Sequence, residues 1–271
     1  MKLMPAAMAS LSLAAVSFFS MADAARAGTV AEEGHHMISA AWLHVDTNAK
    51  SEPLVTTRIA NGQSQTDTAT SFDLDNADTL ALTYTYAFDD HLSMQFLGGV
   101  PPRFTLSGKG ASNLVGDLGA YGDLAKVRQW SPTLIGIYTF GNPAQSFRPY
   151  IGIGASYTKF DDIEMNPALE AAFIQAVKTR TMGLAQDVSV RAEADDAWDP
   201  VITVGGQYSF AKNWYAIGSV SYLPLSTTAT VTTTINSSAL PAAVPTGDFT
   251  KSQASMDIHP VVTYLGVGYR F

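Results

Sequence analysis

The chain has no cysteine, so thiol catalysis, thiolate metal sites and disulfides are excluded. It is poor in charge, with 15% Asp, Glu, Lys and Arg, against roughly 25% in an average soluble domain. It also lacks a long apolar run. A membrane-spanning helix needs ~20 consecutive apolar residues, and beyond the N-terminal segment none is present. The acidic balance, −8 with a pI near 5.0, argues against nucleic acid as a partner. Yet 46% of the 271 residues are hydrophobic, while the mean hydropathy is only +0.08. Apolar and polar residues must therefore be interleaved, as in strands whose two faces meet different surroundings.

The first residues read as an export signal. Lys2 supplies the positive charge and Leu11 to Phe19 the apolar run. Small-residue cleavage sites follow at Ala22-Asp23-Ala24 and Ala25-Arg26-Ala27. The expected division is a leader over 1–24, ending as late as 27, and one domain over 28–271.

Eight segments alternate with period two, near 36–47, 79–88, 92–104, 128–140, 148–160, 199–210, 214–225 and 257–271. In the second, Leu80, Leu82, Tyr84, Tyr86 and Phe88 alternate with Ala81, Thr83, Thr85 and Ala87. In the last, Leu265, Val267, Tyr269 and Phe271 share a face, and Tyr264, Gly266, Gly268 and Arg270 the other. The connections alternate in length. Asp89-Asp90-His91, Gly141 to Phe147 and Ala211-Lys212-Asn213 are short. Those near 48–78, 105–127, 161–198 and 226–256 are long and polar. This order predicts an all-β fold, an eight-stranded antiparallel transmembrane β-barrel with short periplasmic turns and long extracellular loops. Its site is the bacterial outer membrane, with outer-membrane lipids as its surroundings. Phe88, Phe140, Tyr150, Phe210, Trp214, Tyr269 and Phe271 all fall beside the short turns or the C-terminus, the pattern of an interfacial aromatic girdle. Asn166-Pro167 starts a short helical pattern with Leu169, Phe173, Ala176 and Val177 on one stripe. It is too short to span a bilayer, and is expected on the barrel mouth or the outer-leaflet surface.

Parity gives a set of lumen candidates: Trp42, His44, Ile135, Ile137, Tyr215, Ile217, Ser221, Leu223 and Tyr264. An apolar lining favours an apolar solute and disfavours ions, which must shed water. The same side chains could equally fill a small barrel. Pro102, Pro132, Pro200, Pro224 and Pro260 sit at the long-loop ends of strands. Proline removes a ladder donor, so these positions either end strands above the membrane or leave a gap in the wall.

No nucleophile elbow, phosphate loop or paired-carboxylate pattern is present. The histidines are scattered, and no metal site or cofactor is expected. Asp161-Asp162 and Asp195-Asp196 bracket the third long loop and read as solvated charge.

Several stretches resemble the OmpW family of small outer-membrane barrels. They are Leu124-Ala125-Lys126-Val127-Arg128-Gln129-Trp130-Ser131-Pro132-Thr133-Leu134 and Phe147-Arg148-Pro149-Tyr150-Ile151-Gly152-Ile153-Gly154-Ala155-Ser156-Tyr157. Asn213-Trp214, Thr227-Thr228-Ala229-Thr230, and Asp257-Ile258-His259-Pro260 leading to the terminal Phe271 belong with them. The resemblance runs from about residue 35 to the end. It implies a narrow hydrophobic interior and passive uptake of small hydrophobic solutes, with lateral release into the membrane where the prolines lie. The family includes alkane-import proteins. It often carries a Trp before the Tyr of strand seven that helps constrict the lumen; here Ser221 precedes Tyr222. The first and third loops are also long. The expectation is thus a non-enzymatic uptake barrel. The alternatives are an anchor or surface-recognition barrel and, with less support, a lipid-modifying enzyme using His259 and Asp257.

Overall fold

The structure, a computed structural model, describes residues 34–59, 62–236 and 246–271. The expected leader over 1–24 or 1–27 lies outside these.

Eight strands close on themselves. They are β1 (His36–Asp46), β2 (Ala77–Ala87), β3 (Leu92–Gly99), β4 (Thr133–Thr139), β5 (Phe147–Met165), β6 (Ala197–Ser209), β7 (Trp214–Tyr222) and β8 (Val261–Arg270). Their order is β4-β3-β2-β1-β8-β7-β6-β5, and β4 pairs β5 to complete the ring. Every neighbour is antiparallel. Closure removes the sheet edge, the only way a β-structure can satisfy its backbone in hydrocarbon.

The outer face is apolar by side chain. Leu80, Leu82, Ile151, Ile153, Ile202, Val204, Leu265 and Val267 are all exposed there. Their strand neighbours point inward and are buried: Ala81, Thr83, Thr203 and Tyr264 among them. Six of the seven expected girdle rings are on the outside at the short-turn end. The exception is Tyr150, which is buried and turned into the barrel.

The long connections are not loops for most of their length. The strands Leu54–Arg58, Gln63–Asp67, Val188–Ala194, Leu225–Ile235 and Gly247–Ile258 form a separate sheet above the barrel. Ser71–Leu74, Arg103–Lys109 and Asp123–Trp130 continue the barrel wall upward along the far half of β5. These segments escaped period-two reading because Thr, Ser and Ala stand on both faces, as in Leu225–Ile235 (LSTTATVTTTI). Four expected strands are broken in two: 92–104 at Val100 to Pro102, 128–140 at Ser131-Pro132, 214–225 at Leu223-Pro224, and 257–271 at His259-Pro260. Each break carries a proline, which cannot donate to a ladder.

Helix α1 (Pro167–Arg180) starts where its N-cap predicts. Asn166 Oδ1 accepts from the Ala168 N–H at 2.9 Å, and Pro167 occupies the first turn. Leu169, Phe173 and Val177 are buried against the extension, so α1 packs on the upper sheet rather than on the barrel mouth or the membrane surface.

The turn between β2 and β3 is held by Asp89. Its Oδ1 accepts from the backbone N–H of His91 at 2.7 Å and of Leu92 at 2.8 Å. The Leu92 bond foremost, then that of His91, lowers the carboxyl below the ordinary carboxylate range. A depressed folded value stabilises the turn above the ordinary carboxylate pKa, and the contribution is lost as pH falls through the folded value. Asp89→Ala should therefore unfold more readily than the unaltered protein at neutral pH. The difference should vanish in strong acid, as read from the temperature at which the folded band is lost on gels.

Candidate functional site

Three layers stack inside the barrel. At the short-turn end, Arg148 and Arg270 are buried on the inner face. The Arg148 guanidinium donates to the Asp90, Phe140 and Gly141 carbonyls, Nε to Phe140 O at 3.2 Å. It thereby ties two short turns together across the floor. The space beside it is about 40 Å³.

Above the floor lies a waist of tyrosines. Tyr150, Tyr215 and Tyr264 are all buried. The Tyr264 hydroxyl meets Ser39 Oγ at 2.7 Å and Thr83 Oγ1 at 3.4 Å, and Ser39 also bonds Thr83. Glycines make room for the rings. A Cβ on Gly205 would lie 2.6 Å from Tyr150 Cζ, and one on Gly268 would collide with the Tyr215 ring. Buried hydroxyls are costly unless paired, and that of Tyr264 is paired with both Ser39 and Thr83.

Above the waist the interior becomes apolar. A cavity of about 370 Å³ is lined by Leu43, Val45, Ile135, Val201, Leu223 and Val262 among others, and by Ser221. It reaches the outer surface between β3 and β4. The β3–β4 ladder stops at Thr133↔Leu97. It resumes only where Gln129 N–H donates to Pro102 O at 3.0 Å and Arg103 faces Arg128. Between these points Gly98 to Pro101 face Trp130, Ser131 and Pro132 with no ladder pair among the described residues. Pro101, Pro102 and Pro132 have no N–H to leave unsatisfied, so the wall can part here at little backbone cost. The Val100 N–H turns to Leu80 O at 2.9 Å, and that of Tyr157 to Pro132 O at 3.1 Å.

The lumen candidates divide. Ile135, Ile137, Tyr215, Ile217 and Tyr264 are buried on the inner face, and Ser221 and Leu223 are half-buried beside the cavity. Trp42 and His44 are corrected: they point outward. Trp42 is 43% exposed, and its register partners Leu80 and Leu265 are outward too. Trp42 Nε1 donates to Asp78 Oδ1 at 3.0 Å, His44 Nδ1 lies 2.8 Å from the same oxygen, and the two rings stack. Leu43 and Val45 face the cavity instead. In lipid both faces of a strand can be apolar, so hydrophobicity alone does not set parity.

The prolines divide as well. Pro102, Pro132 and the buried Pro260 line the cavity. Pro200 and Pro224 do not; both are exposed, and Pro200 sits in an unbroken β5–β6 ladder opposite Ala155. The sequence reading missed Pro101, Leu74, Val201 and the Ser39–Thr83 pair. It also left Arg148 unused, although a charge inside a lipid-facing strand has only the interior to point to.

The paired aspartates are engaged elsewhere. Asp162 accepts from Arg128 at 2.7 Å and Arg103 at 3.3 Å, and Asp196 accepts from Tyr157 at 2.6 Å. His259 lies 3.1 Å from the Tyr222 hydroxyl, and Asp257 accepts from Ser226 at 2.8 Å. No group of three or more potential metal ligands occurs among the described residues.

A closed eight-stranded ring with an apolar outer face and short turns at one end defines an outer-membrane β-barrel; in that class the short turns face the periplasm. Comparison with known proteins gives the same class. The solved structure of outer membrane protein OprG from Pseudomonas aeruginosa superposes with a TM-score of 0.65 at 24% identity, covering 92% of this chain and 98% of that one. That of outer membrane protein AlkL superposes at 0.54 with 18% identity, covering 94% and 97%. The sequence is 28% identical to outer membrane protein W of Vibrio cholerae over 241 residues, 89% of this chain and 90% of the relative. The OmpW family profile matches residues 32–271, and the chain belongs to the OmpW family.

Replacing Tyr264 with Phe removes the hydroxyl that Ser39 and Thr83 share. It should lower stability by about 1 kcal/mol in urea unfolding from lipid vesicles, with the circular dichroism of the folded state unchanged.

Proposed function

We propose that this barrel carries small hydrophobic molecules passively from the cell exterior into the outer membrane, releasing them sideways between β3 and β4. The observation supporting this reading is the apolar cavity of about 370 Å³ with its mouth at Gly98 to Pro101 and Ser131-Pro132. A solute resting there has Leu43, Val45, Ile135 and Val201 behind it and the lipid-facing wall in front. Moving it outward exchanges one apolar contact for another, so no step exposes it to water. An ion on the same path must lose its hydration and finds no compensating charge in the cavity lining.

The way straight down is unfavourable. Below the cavity lie the tyrosine waist and the Arg148 floor. A solute crossing them must separate paired hydroxyls, each costing about 1–3 kcal/mol when left buried and unpaired. The family's association with uptake of apolar molecules, alkane import included, points the same way.

The width of the cavity has a local cause. Where the family often carries Trp, Ser221 stands here, its hydroxyl donating to Thr203 Oγ1 at 2.9 Å. A short side chain at this place leaves the cavity open beside Leu223. Cells producing the protein should take up labelled octane or toluene faster than cells lacking it; equal rates would remove the reading. Ser221→Trp should fill the cavity and bring uptake close to the rate without the protein, while the variant still assembles in the outer membrane. Full uptake by an assembled Ser221→Trp barrel would place the route elsewhere.

A further inference from the structure

Toward its long-loop end the outer face of the wall carries a second aromatic belt. Trp42, Trp130, Trp198 and Tyr222 are all exposed there. What stands beside each ring differs. Trp42 bonds Asp78. Tyr157, against Trp198, donates to Asp196 at 2.6 Å. Tyr222 meets His259, two residues from the exposed Asp257. Each of these sectors carries a carboxylate. Trp130 differs. Its register partner is the exposed Lys159, and Arg128, two residues before it, faces Arg103 of the adjoining strand.

These cations point outward because their neighbours point in. Phe104 and Val127 are register partners packed on the core, and Thr158 is buried. Lys159 stands twelve residues beyond Phe147 of the lower girdle on β5. At ~3.3 Å per residue and a tilt of about 40°, the rise is ~30 Å, just past an apolar band about 25 Å tall. The cluster therefore lies at the headgroup level of the outer leaflet. A bulge aligns the two arginines. The β5 register shifts between Lys126 and Arg128, and Asp162 there takes a φ of +53°. Its carboxylate rests between the guanidiniums, 2.7 Å from Arg128 Nη2 and 3.3 Å from Arg103 Nη2. Asp161 Oδ1 accepts from the Asp162 N–H at 2.8 Å. Each guanidinium commits Nη2 to Asp162, and its five N–H donors leave most of the fork to a further acceptor. At this level three cations face two carboxylates, in a chain whose net charge is −8. One step higher Lys126 and Glu164 face each other.

We propose that Arg103, Arg128 and Lys159 bind the phosphate of a phosphorylated glycolipid of the outer leaflet, with Trp130 at the boundary between its sugar and its acyl chains. The planar arginine fork matches phosphate oxygens, and lysine adds a point charge on a stem long enough to reach the interface. An indole suits the boundary because one side is apolar and its N–H tolerates water. A free phosphate has use only for the cations. A lipid also has use for the wall beneath them, where Leu134 and Ile153 are exposed for its chains. Exchange of Asp162 for phosphate oxygens costs little, since an exposed ion pair contributes little in water. Trp130 also borders the opening between β3 and β4, so the bound lipid stands beside it. The proposal does not depend on the uptake reading.

Native mass spectrometry of the full barrel, released from detergent micelles containing diphosphoryl lipid A, tests it. The unaltered protein should retain bound lipid A, and should hold lipid A stripped of both phosphates about tenfold more weakly. The double variant Arg103→Gln, Arg128→Gln should lose the same factor for diphosphoryl lipid A, and Arg103→Lys, Arg128→Lys should recover part of it. The folded band on gels reports assembly of each variant. Lys159→Gln, at an exposed position outside the Asp162 pair, gives the same readout should the double variant fail to assemble. No lipid A on the unaltered protein, equal retention of the two lipids, or undiminished retention by an assembled glutamine variant would overturn the site. Displacement of lipid A by an equal concentration of inorganic phosphate would overturn the assignment to a lipid.

Discussion

Hydrocarbon offers no partner to a backbone N–H or carbonyl, and the rest of this structure follows from that constraint. Between the membrane faces each strand must be paired on both sides, and the ring from β4 round to β5 does this. Once the backbone is satisfied internally, the side chains are free to differ by face. The outer face takes Leu, Ile and Val, and the inner face can carry hydroxyls, arginines and glycines that a lipid-facing position would penalise. The opening between β3 and β4 obeys the same constraint. It occurs where three prolines have removed the donors that would otherwise be stranded.

The interior is graded along its axis rather than uniform. Charge sits at the periplasmic floor, paired hydroxyls at the waist, and aliphatic side chains above. Each layer is built by a different means. Arg148 binds carbonyls of two turns, so the floor is held by the same residues that reverse the chain. The waist depends on pairing large rings with glycines, Tyr215 over Gly268 and Tyr150 over Gly205. The upper layer depends on what is missing, a short Ser221 in place of a ring.

The barrel was legible because closure imposes period two and alternating connection lengths. The strands flanking Asp89 to His91 and Ala211 to Asn213 stand where the alternation places them, and so does the inward face of β8 with Tyr264, Gly266, Gly268 and Arg270. Strand β1 was not, since Met37-Ser39-Ala41-Leu43-Val45 and Ile38-Ala40-Trp42-His44 are similarly apolar. The sign of its parity is visible only through its register with Leu80 and Leu265. The extension was hidden for another reason. Its threonine-rich strands carry little contrast between faces, and the pairing of 225–235 with 247–258 spans a separation that local pattern does not report. Proline positions could be read, but not which break parts the wall. Pro200 and Pro132 look alike in sequence, and only the neighbouring strand tells a continuous ladder from an interrupted one.

The tyrosine waist has one more consequence. The narrow waist is built by the buried rings of Tyr150, Tyr215 and Tyr264, whereas the cavity above is shaped by Leu43, Val201, Ser221 and Leu223. The two sets share no residue. The waist and the cavity are therefore independent parts of one interior. A substitution that reshapes the cavity leaves the tyrosine layer in place, so the upper interior of such a barrel is free to vary while its waist keeps its packing.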